Sequence, residues 1–274
     1  MKFYSCTKAL FVIGFVLCSQ SPSLNAQFLG TMTAGHADIA VKFENNKLEP
    51  HIHADSATNP PTLFGGGNLA VGEYEADQVW FGIGDDRKIQ RSGGYTNSAF
   101  DFLGVSNNQD FWMLPRSSPP SGQSYPYLGF ATEELNSEWG PVTFTLNNIT
   151  PKAGTTGSSQ FSAWKEQGGN IVDMITTTSG FTNNNKFSLI VGVHEHFNMA
   201  FTGQGIFEVA FTVSASRTGI PTPFSASESF TFAVGNANFT AVPEPSSLAL
   251  IATLSGVGAA WRYRKRLGSK ISRN

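Results

Sequence analysis

No stretch between Gln27 and Ala241 keeps its apolar residues at helical spacing, and that excludes a helical bundle. Short runs of Val, Ile, Phe and Thr alternate instead with Gly, Asn, Ser and Pro. The two-residue period is plainest in Val142-Thr143-Phe144-Thr145-Leu146 and in Phe207-Glu208-Val209-Ala210-Phe211-Thr212-Val213, the pattern of strands with one buried face. Strands are expected over 36–43, 48–54, 78–83, 111–114, 142–149, 160–165, 171–176, 187–191, 195–202, 206–214 and 229–234. Turn residues separate them at Glu44-Asn45-Asn46-Lys47, Gly65-Gly66-Gly67-Asn68, Gly168-Gly169-Asn170 and Asn183-Asn184-Asn185. Many short strands with such turns predict an all-β fold, a single β-sandwich or jelly roll. The 23 phenylalanines suit a core between two sheets. The expected division is a signal peptide over 1–26, the sandwich over 27–216, a final strand or stalk over 217–241, and a sorting segment over 242–274.

Both ends are built for export. Lys2 and Lys8 precede the apolar run Ala9 to Leu17, and a polar stretch ends in Leu24-Asn25-Ala26. This is the order of a secretory signal peptide, with cleavage expected after Ala26. The apolar run is shorter than the ~20 residues a membrane span needs. Cys18 closes that run, but Leu17 before it has the wrong size for a lipobox. The only other cysteine is Cys6, so the mature chain has no thiol and no disulfide. About 215 residues are enough for one core without staples.

At the other end, Val242-Pro243-Glu244-Pro245 is stiff and non-helical. An apolar, helix-compatible run follows from Ser246 to Trp261, and Arg262, Arg264, Lys265 and Arg266 close it. An ordinary membrane anchor with a positive-inside flank would show the same flank, but about 16 apolar residues are short for a span. The order of parts resembles the PEP-CTERM sorting signal read by exosortases. That resemblance implies transient retention in the inner membrane, cleavage near Pro243-Glu244-Pro245, and delivery to the cell surface, outer membrane or extracellular matrix of a Gram-negative bacterium. Exosortase and the secretion machinery are the partners it implies.

Without its two ends the chain is strongly acidic. Residues 27–241 hold ten basic and nineteen acidic side chains, a net charge of −9, where the whole chain shows −2. Such a domain repels nucleic acid and favours cations.

Four of the five histidines form two His-x-His pairs, His51/His53 and His194/His196, with His36 apart. Chance placement gives two such pairs on the order of one time in a thousand. On a strand, residues i and i+2 share a face, so each pair projects together. If the two strands are neighbours, four imidazoles converge. Imidazole suits zinc, and zinc takes three or four such ligands, although copper(II) also accepts imidazole. His51, His53, His194 and His196 are therefore the candidate metal ligands, with His36 the weakest by spacing and a replaceable fifth member or outer partner. The bland alternative is a set of solvent-facing or backbone-satisfied strand histidines.

Gly35-His36-Ala37-Asp38-Ile39-Ala40-Val41, followed by Pro50-His51-Ile52-His53, resembles the opening of the choice-of-anchor M domain, also described as an actinobacterial surface-anchored protein domain. Val71 to Asp77, Phe111-Trp112-Met113-Leu114-Pro115, Phe161-Ser162-Ala163-Trp164 and His194 to Thr202 continue it in order, over about 35–214. Met199 stands where that family often has a tryptophan. The resemblance is to the branch that carries a PEP-CTERM tag and is controlled by the zinc uptake regulator. It implies a role in zinc- or manganese-limited growth beside a zinc or manganese uptake system. It supplies no biochemical activity.

Other features point to no catalysis. Glu73, Glu75 and Asp77 alternate and could present carboxylates on one face to a hard cation, although such a run is more often a solvated strand edge. Glu133 and Glu134 are adjacent, so as strand residues they face opposite ways, poor geometry for paired acid–base work. There is no Gly-x-Ser-x-Gly elbow, no phosphate loop, no EF-hand spacing and no His-Glu-x-x-His. The expected function is non-enzymatic: surface capture or homeostasis of zinc, with manganese and copper open as alternatives. Two other readings fit the residues. One is a zinc enzyme or a cupin-like metalloenzyme, since His51-x-His53 and His194-x-x-x-Asn198 faintly echo cupin motifs. The other is a matrix or adhesion protein that meets extracellular polysaccharide without a metal.

Overall fold

The structure is a computed structural model and describes residues 27–55, 60–153, 155, 157–181 and 183–240. The signal peptide and the sorting segment with Pro243, Glu244, Pro245, Arg262, Arg264, Lys265 and Arg266 lie outside these residues. Sixteen strands are described, in chain order β1 (Gly30–Glu44), β2 (Lys47–Ala54), β3 (Thr62–Leu63), β4 (Gly72–Tyr74), β5 (Val79–Ile83), β6 (Lys88–Gln90), β7 (Asp110–Leu114) and β8 (Pro126–Ala131). The rest are β9 (Val142–Pro151), β10 (Phe161–Gln167), β11 (Asn170–Thr176), β12 (Lys186–Leu189), β13 (His194–His196), β14 (Asn198–Phe201), β15 (Gly205–Ala215) and β16 (Phe224–Val234). The fold is all-β. Among the described residues the helices are short 3-10 turns, and none is long and apolar enough to cross a membrane.

The strands form two hydrogen-bonded sheets. The larger runs β12-β9-β15-β16-β5-β1-β2-β4, with β3 and β8 also joined to β1 and β13 joined to β8; the smaller runs β11-β10-β14-β7-β6. Alternation drives the centre of the larger sheet. Phe207, Val209, Phe211 and Val213 of β15 are fully buried, while Glu208, Ala210, Thr212 and Ser214 between them are half-buried. Rings cross from one sheet to the other: Phe201 of β14 lies 5.0 Å from Phe232 of β16, and Phe161 of β10 lies 5.9 Å from the same ring. Each buried phenylalanine contributes about 1.5–3 kcal/mol. Within the segment 217–241, Phe224–Val234 is an interior strand between β15 and β5, with Phe230 and Phe232 fully buried.

One strand changes partners halfway along, and this places the histidines. The first half of β1 pairs with β3 and in parallel with β5, whereas the second half pairs with β2 and in parallel with β8. The change falls at Gly35, whose φ is +91°, and a Cβ there would collide with Pro60 and Pro61. Only glycine adopts this conformation without strain. Beyond it, Asn45 and Asn46, both at positive φ, make the two-residue turn into β2 and fix its register. Asp38 then stands opposite His53, and Ala40 opposite His51.

Candidate metal centre

All five histidines share one face of one stretch of sheet, whose strand order is β4-β2-β1-β8-β13. The opposite face carries Ile39, Val41, Ile52, Leu128 and Phe130 into the core. Phe130 is fully buried, with Phe144, Phe187, Phe197 and Phe211 around it at ring separations of 4.9–5.4 Å. With that face pinned, the pleat sends His36, Asp38, Tyr127 and Gly129 to the other side.

The expected adjacency of the two His-x-His strands is not found. β1 and β8 stand between β2 and β13, so the structure divides the histidines into two groups. The physical reason is β8. It inserts in parallel beside β1 and takes β13 on its far side. The run 195–202 is also two strands rather than one. His194–His196 pairs with β8, and Asn198–Phe201 crosses to the smaller sheet, the turn pinned by buried Phe197.

The first group is His36, His194 and His196, each with a ligand nitrogen within 4.8 Å of the others'. His36, the weakest candidate by spacing, is therefore its most buried member, at 7% exposure. Its ring centroid lies 5.7 Å from that of His194 and 5.0 Å from that of His196. Each ring is held through Nδ1. His36 Nδ1 meets Asp55 Oδ1 at 2.5 Å, His194 Nδ1 meets Glu133 Oε1 at 2.9 Å, and His196 Nδ1 donates to the Leu128 carbonyl at 2.9 Å. A carbonyl or ionised carboxylate only accepts, so each Nδ1 carries a proton, and in the neutral ring Nε2 keeps its lone pair. His36 Nε2 and His196 Nε2 face each other at 3.3 Å. Two lone pairs at that distance repel unless a proton or a cation lies between them. Hydrogen bonding through the second ring nitrogen is how proteins orient metal-ligating histidines.

The electrostatics favour a cation. Burial pushes His196 down to about 4, against its bond to the Leu128 carbonyl, so the ring is neutral at pH 7. His194 titrates above its ordinary value because of its bond to Glu133, which outweighs partial burial. Burial raises Asp38 to about 6, with the charges of His36 and His194 opposing that rise. Tyr127 stacks flat on His196, with ring centroids 3.6 Å apart, and fixes the plane of that ligand.

The second group is His51, His53, Glu73 and Glu134. His51 is 1% exposed, and both its nitrogens are engaged: Nδ1 with the Glu49 carbonyl at 3.1 Å and Nε2 with Glu134 Oε1 at 2.9 Å. His53 Nδ1 lies 3.3 Å from the same Glu134 oxygen. Burial lowers the His51 pKa, but the bonds to Glu134 and Glu49 outweigh it and leave the ring above its ordinary value; the His51 bond holds Glu134 below the usual carboxylate range. Glu73, on edge strand β4, is paired with Lys42 at 2.5 Å. His51, Glu73 and Glu134 lie close enough to share an ion, but lone pairs already committed to protein partners leave an ion-pair network around the buried His51.

Spacing along the chain did not link the acids that hold these rings to the histidines. Asp38 carried a readable signal, two residues after His36 on one strand face. Glu133 and Glu134 do point apart, but from a turn after β8, and each serves a different histidine group.

Against known proteins, no curated protein and no solved structure matches the chain. One family model matches, the PEP-CTERM protein-sorting motif, over residues 241–265. That motif covers the Pro-Glu-Pro segment, the apolar run and most of the basic cluster, and through it the chain is an exported protein sorted to the cell surface with processing by an exosortase.

Proposed function

We propose that this surface-sorted domain captures a divalent transition metal, zinc first, through His36, His194 and His196. The observation that carries the reading is the convergence of three imidazoles, with ligand nitrogens within 4.8 Å of one another and each ring oriented through Nδ1. Three imidazoles match zinc in ligand type, and manganese, which prefers oxygen, fits less well. The acidic surface of the mature chain raises the local concentration of cations. The resemblance of residues 35–214 to the choice-of-anchor M domain, in the branch under the zinc uptake regulator, points the same way. Metal gathered outside the cell would then pass to an uptake system. The two sheets packed through Phe161, Phe201 and Phe232 support the sandwich reading of the scaffold. The apolar run 246–261 is read as the segment that holds the chain in the inner membrane until exosortase acts.

Calorimetric titration of the purified mature chain with zinc tests this. The expected result is about one zinc per chain for the wild type and none for His36→Ala/His194→Ala, because one imidazole cannot hold the ion. Equal uptake by both proteins, or none by the wild type, sinks the reading and favours adhesion.

A further inference from the structure

Three histidines leave one polar group beside them unexplained. Asp38 follows His36 by two residues on the same face of β1, is 3% exposed, and its Oδ1 has no hydrogen-bond partner. Among the described residues its one ion-pair neighbour is His36; no lysine or arginine reaches it. A buried carboxylate with an unsatisfied oxygen is costly, and folds rarely keep one without a partner.

The spacing around His36 Nε2 is compatible with a tetrahedral ligand set. Ligands bound to zinc at about 2.0–2.1 Å sit at the corners of a tetrahedron with edges of about 3.3 Å. His36 Nε2 is 3.3 Å from His196 Nε2 and 3.5 Å from Asp38 Oδ2. His36 Nε2 therefore stands near edge distance from two other corners, and His194 supplies a nitrogen within 4.8 Å of those of His36 and His196. The backbone is built for this approach. Gly129 on β8 pairs with Asp38 on one side and His196 on the other. A Cβ at Gly129 would run into Asp38 Oδ1 and sit 3.2 Å from His196 Nδ1. Glycine at that one position lets a side chain from β1 and one from β13 meet above β8.

Resting on the three-histidine reading above, we propose that Asp38 is the fourth ligand, closing the site around a zinc-like divalent cation as a tetrahedral set of three nitrogens and one oxygen. Catalytic zinc keeps one position open for water or substrate, whereas four protein ligands leave none. This site therefore retains a cation and does not activate one. The same shape disfavours copper(II), which prefers tetragonal geometry.

Asp38→Asn keeps the size of the side chain and removes its charge. Wild type and variant are titrated with zinc by calorimetry, and with cobalt(II) followed by visible absorption, which is intense for four-coordinate cobalt and weak once water expands the shell. The expected result is at least about tenfold weaker zinc binding in D38N, a weaker cobalt spectrum, and a metal-free melting temperature no lower than wild type, since the orphaned charge is gone. Equal affinity and an equal spectrum in both proteins overturn the fourth-ligand assignment and leave the three-histidine site standing. No metal uptake by the wild type overturns the site itself. One measurement needs no variant: azide added to the cobalt-loaded wild type leaves the spectrum unchanged if the set is closed. A shift on adding azide reveals an open position and overturns the proposal.

Discussion

The two histidine groups lie on the same face of the same sheet, one on β1 and β13 and the other on β2, and each has a carboxylate from one dipeptide, Glu133-Glu134. They differ in where the second ring nitrogen goes. In the group of His36, His194 and His196, protein acceptors hold Nδ1 and leave Nε2 free to bind. In the group of His51 and His53, the buried ring spends both nitrogens on Glu49 and Glu134, and Lys42 takes the nearby Glu73. Spacing along a strand brings imidazoles together, but the partners of their other nitrogens decide whether the cluster is a ligand set or an ion-pair network.

The sharpest way to break that contrast is to delete one ring from each group. His196→Ala is expected to weaken zinc binding by at least about 100-fold, while His51→Ala leaves affinity within about threefold and costs about 2 kcal/mol of stability by stranding Glu134. Parallel zinc titrations and denaturant unfolding read both numbers. Equal loss of zinc affinity in the two variants would make the groups one site.

A smaller effect is expected from Glu133→Gln, which leaves all three rings in place. Loss of the carboxylate partner should weaken zinc binding about tenfold at pH 8. The pH profile should move as well. Glu133 raises the His194 pKa, so in the wild type protons compete with the metal at and above pH 6.5, and affinity falls as pH drops through that range. Removing the charge lets His194 lose its proton more easily, so the fall in E133Q begins at lower pH. His196 adds no pH dependence above about pH 5, because it titrates at about 4. Zinc titrations from pH 5 to 8 distinguish a shifted profile from a merely lowered one.

The smallest effect belongs to Glu134→Gln, read in stability with zinc affinity unchanged. His51 titrates above its ordinary 6.5, so its contribution is full below 6.5 and is lost as pH rises through the folded value. Glu134 titrates below its ordinary 4.5, so its contribution is full above 4.5 and is lost as pH falls through the folded value. The pair thus stabilises most between about pH 4.5 and 6.5. E134Q should lose about 1 kcal/mol there, and less toward either extreme. Thermal melts across pH 3–9 show whether the difference peaks in that window.

Much of the scaffold was legible in the sequence, and the failures share one cause. Alternation in 206–214 corresponds to β15, and Asn45-Asn46 marks the turn that sets the register of His51 and His53. β8 escaped notice because Pro126 opens it and Gly129 interrupts it, both poor strand residues. Its place is secured by burial of Leu128 and Phe130, not by local propensity. Without β8 the two His-x-His strands looked like neighbours and His36 looked like a bystander. With β8 in place, a single strand separates His36 on β1 from His196 on β13, and His51 lies on the other side of β1. The acids at 38, 55, 133 and 134 gain meaning only from cross-strand and turn geometry, which one-dimensional spacing does not carry.

The position of β16 bears on how the fold meets force applied at its C-terminal end. The sorting motif begins at residue 241, shortly after β16 ends at Val234. Any pull delivered through that end reaches the fold at an interior strand: β15 pairs along its whole length, and β5 holds its last three residues on the other side. Peeling it away would have to break two hydrogen-bonded ladders at once and expose Phe230 and Phe232 to water. A chain end woven into the middle of a sheet resists tension through a slow unfolding rate, not through equilibrium stability alone.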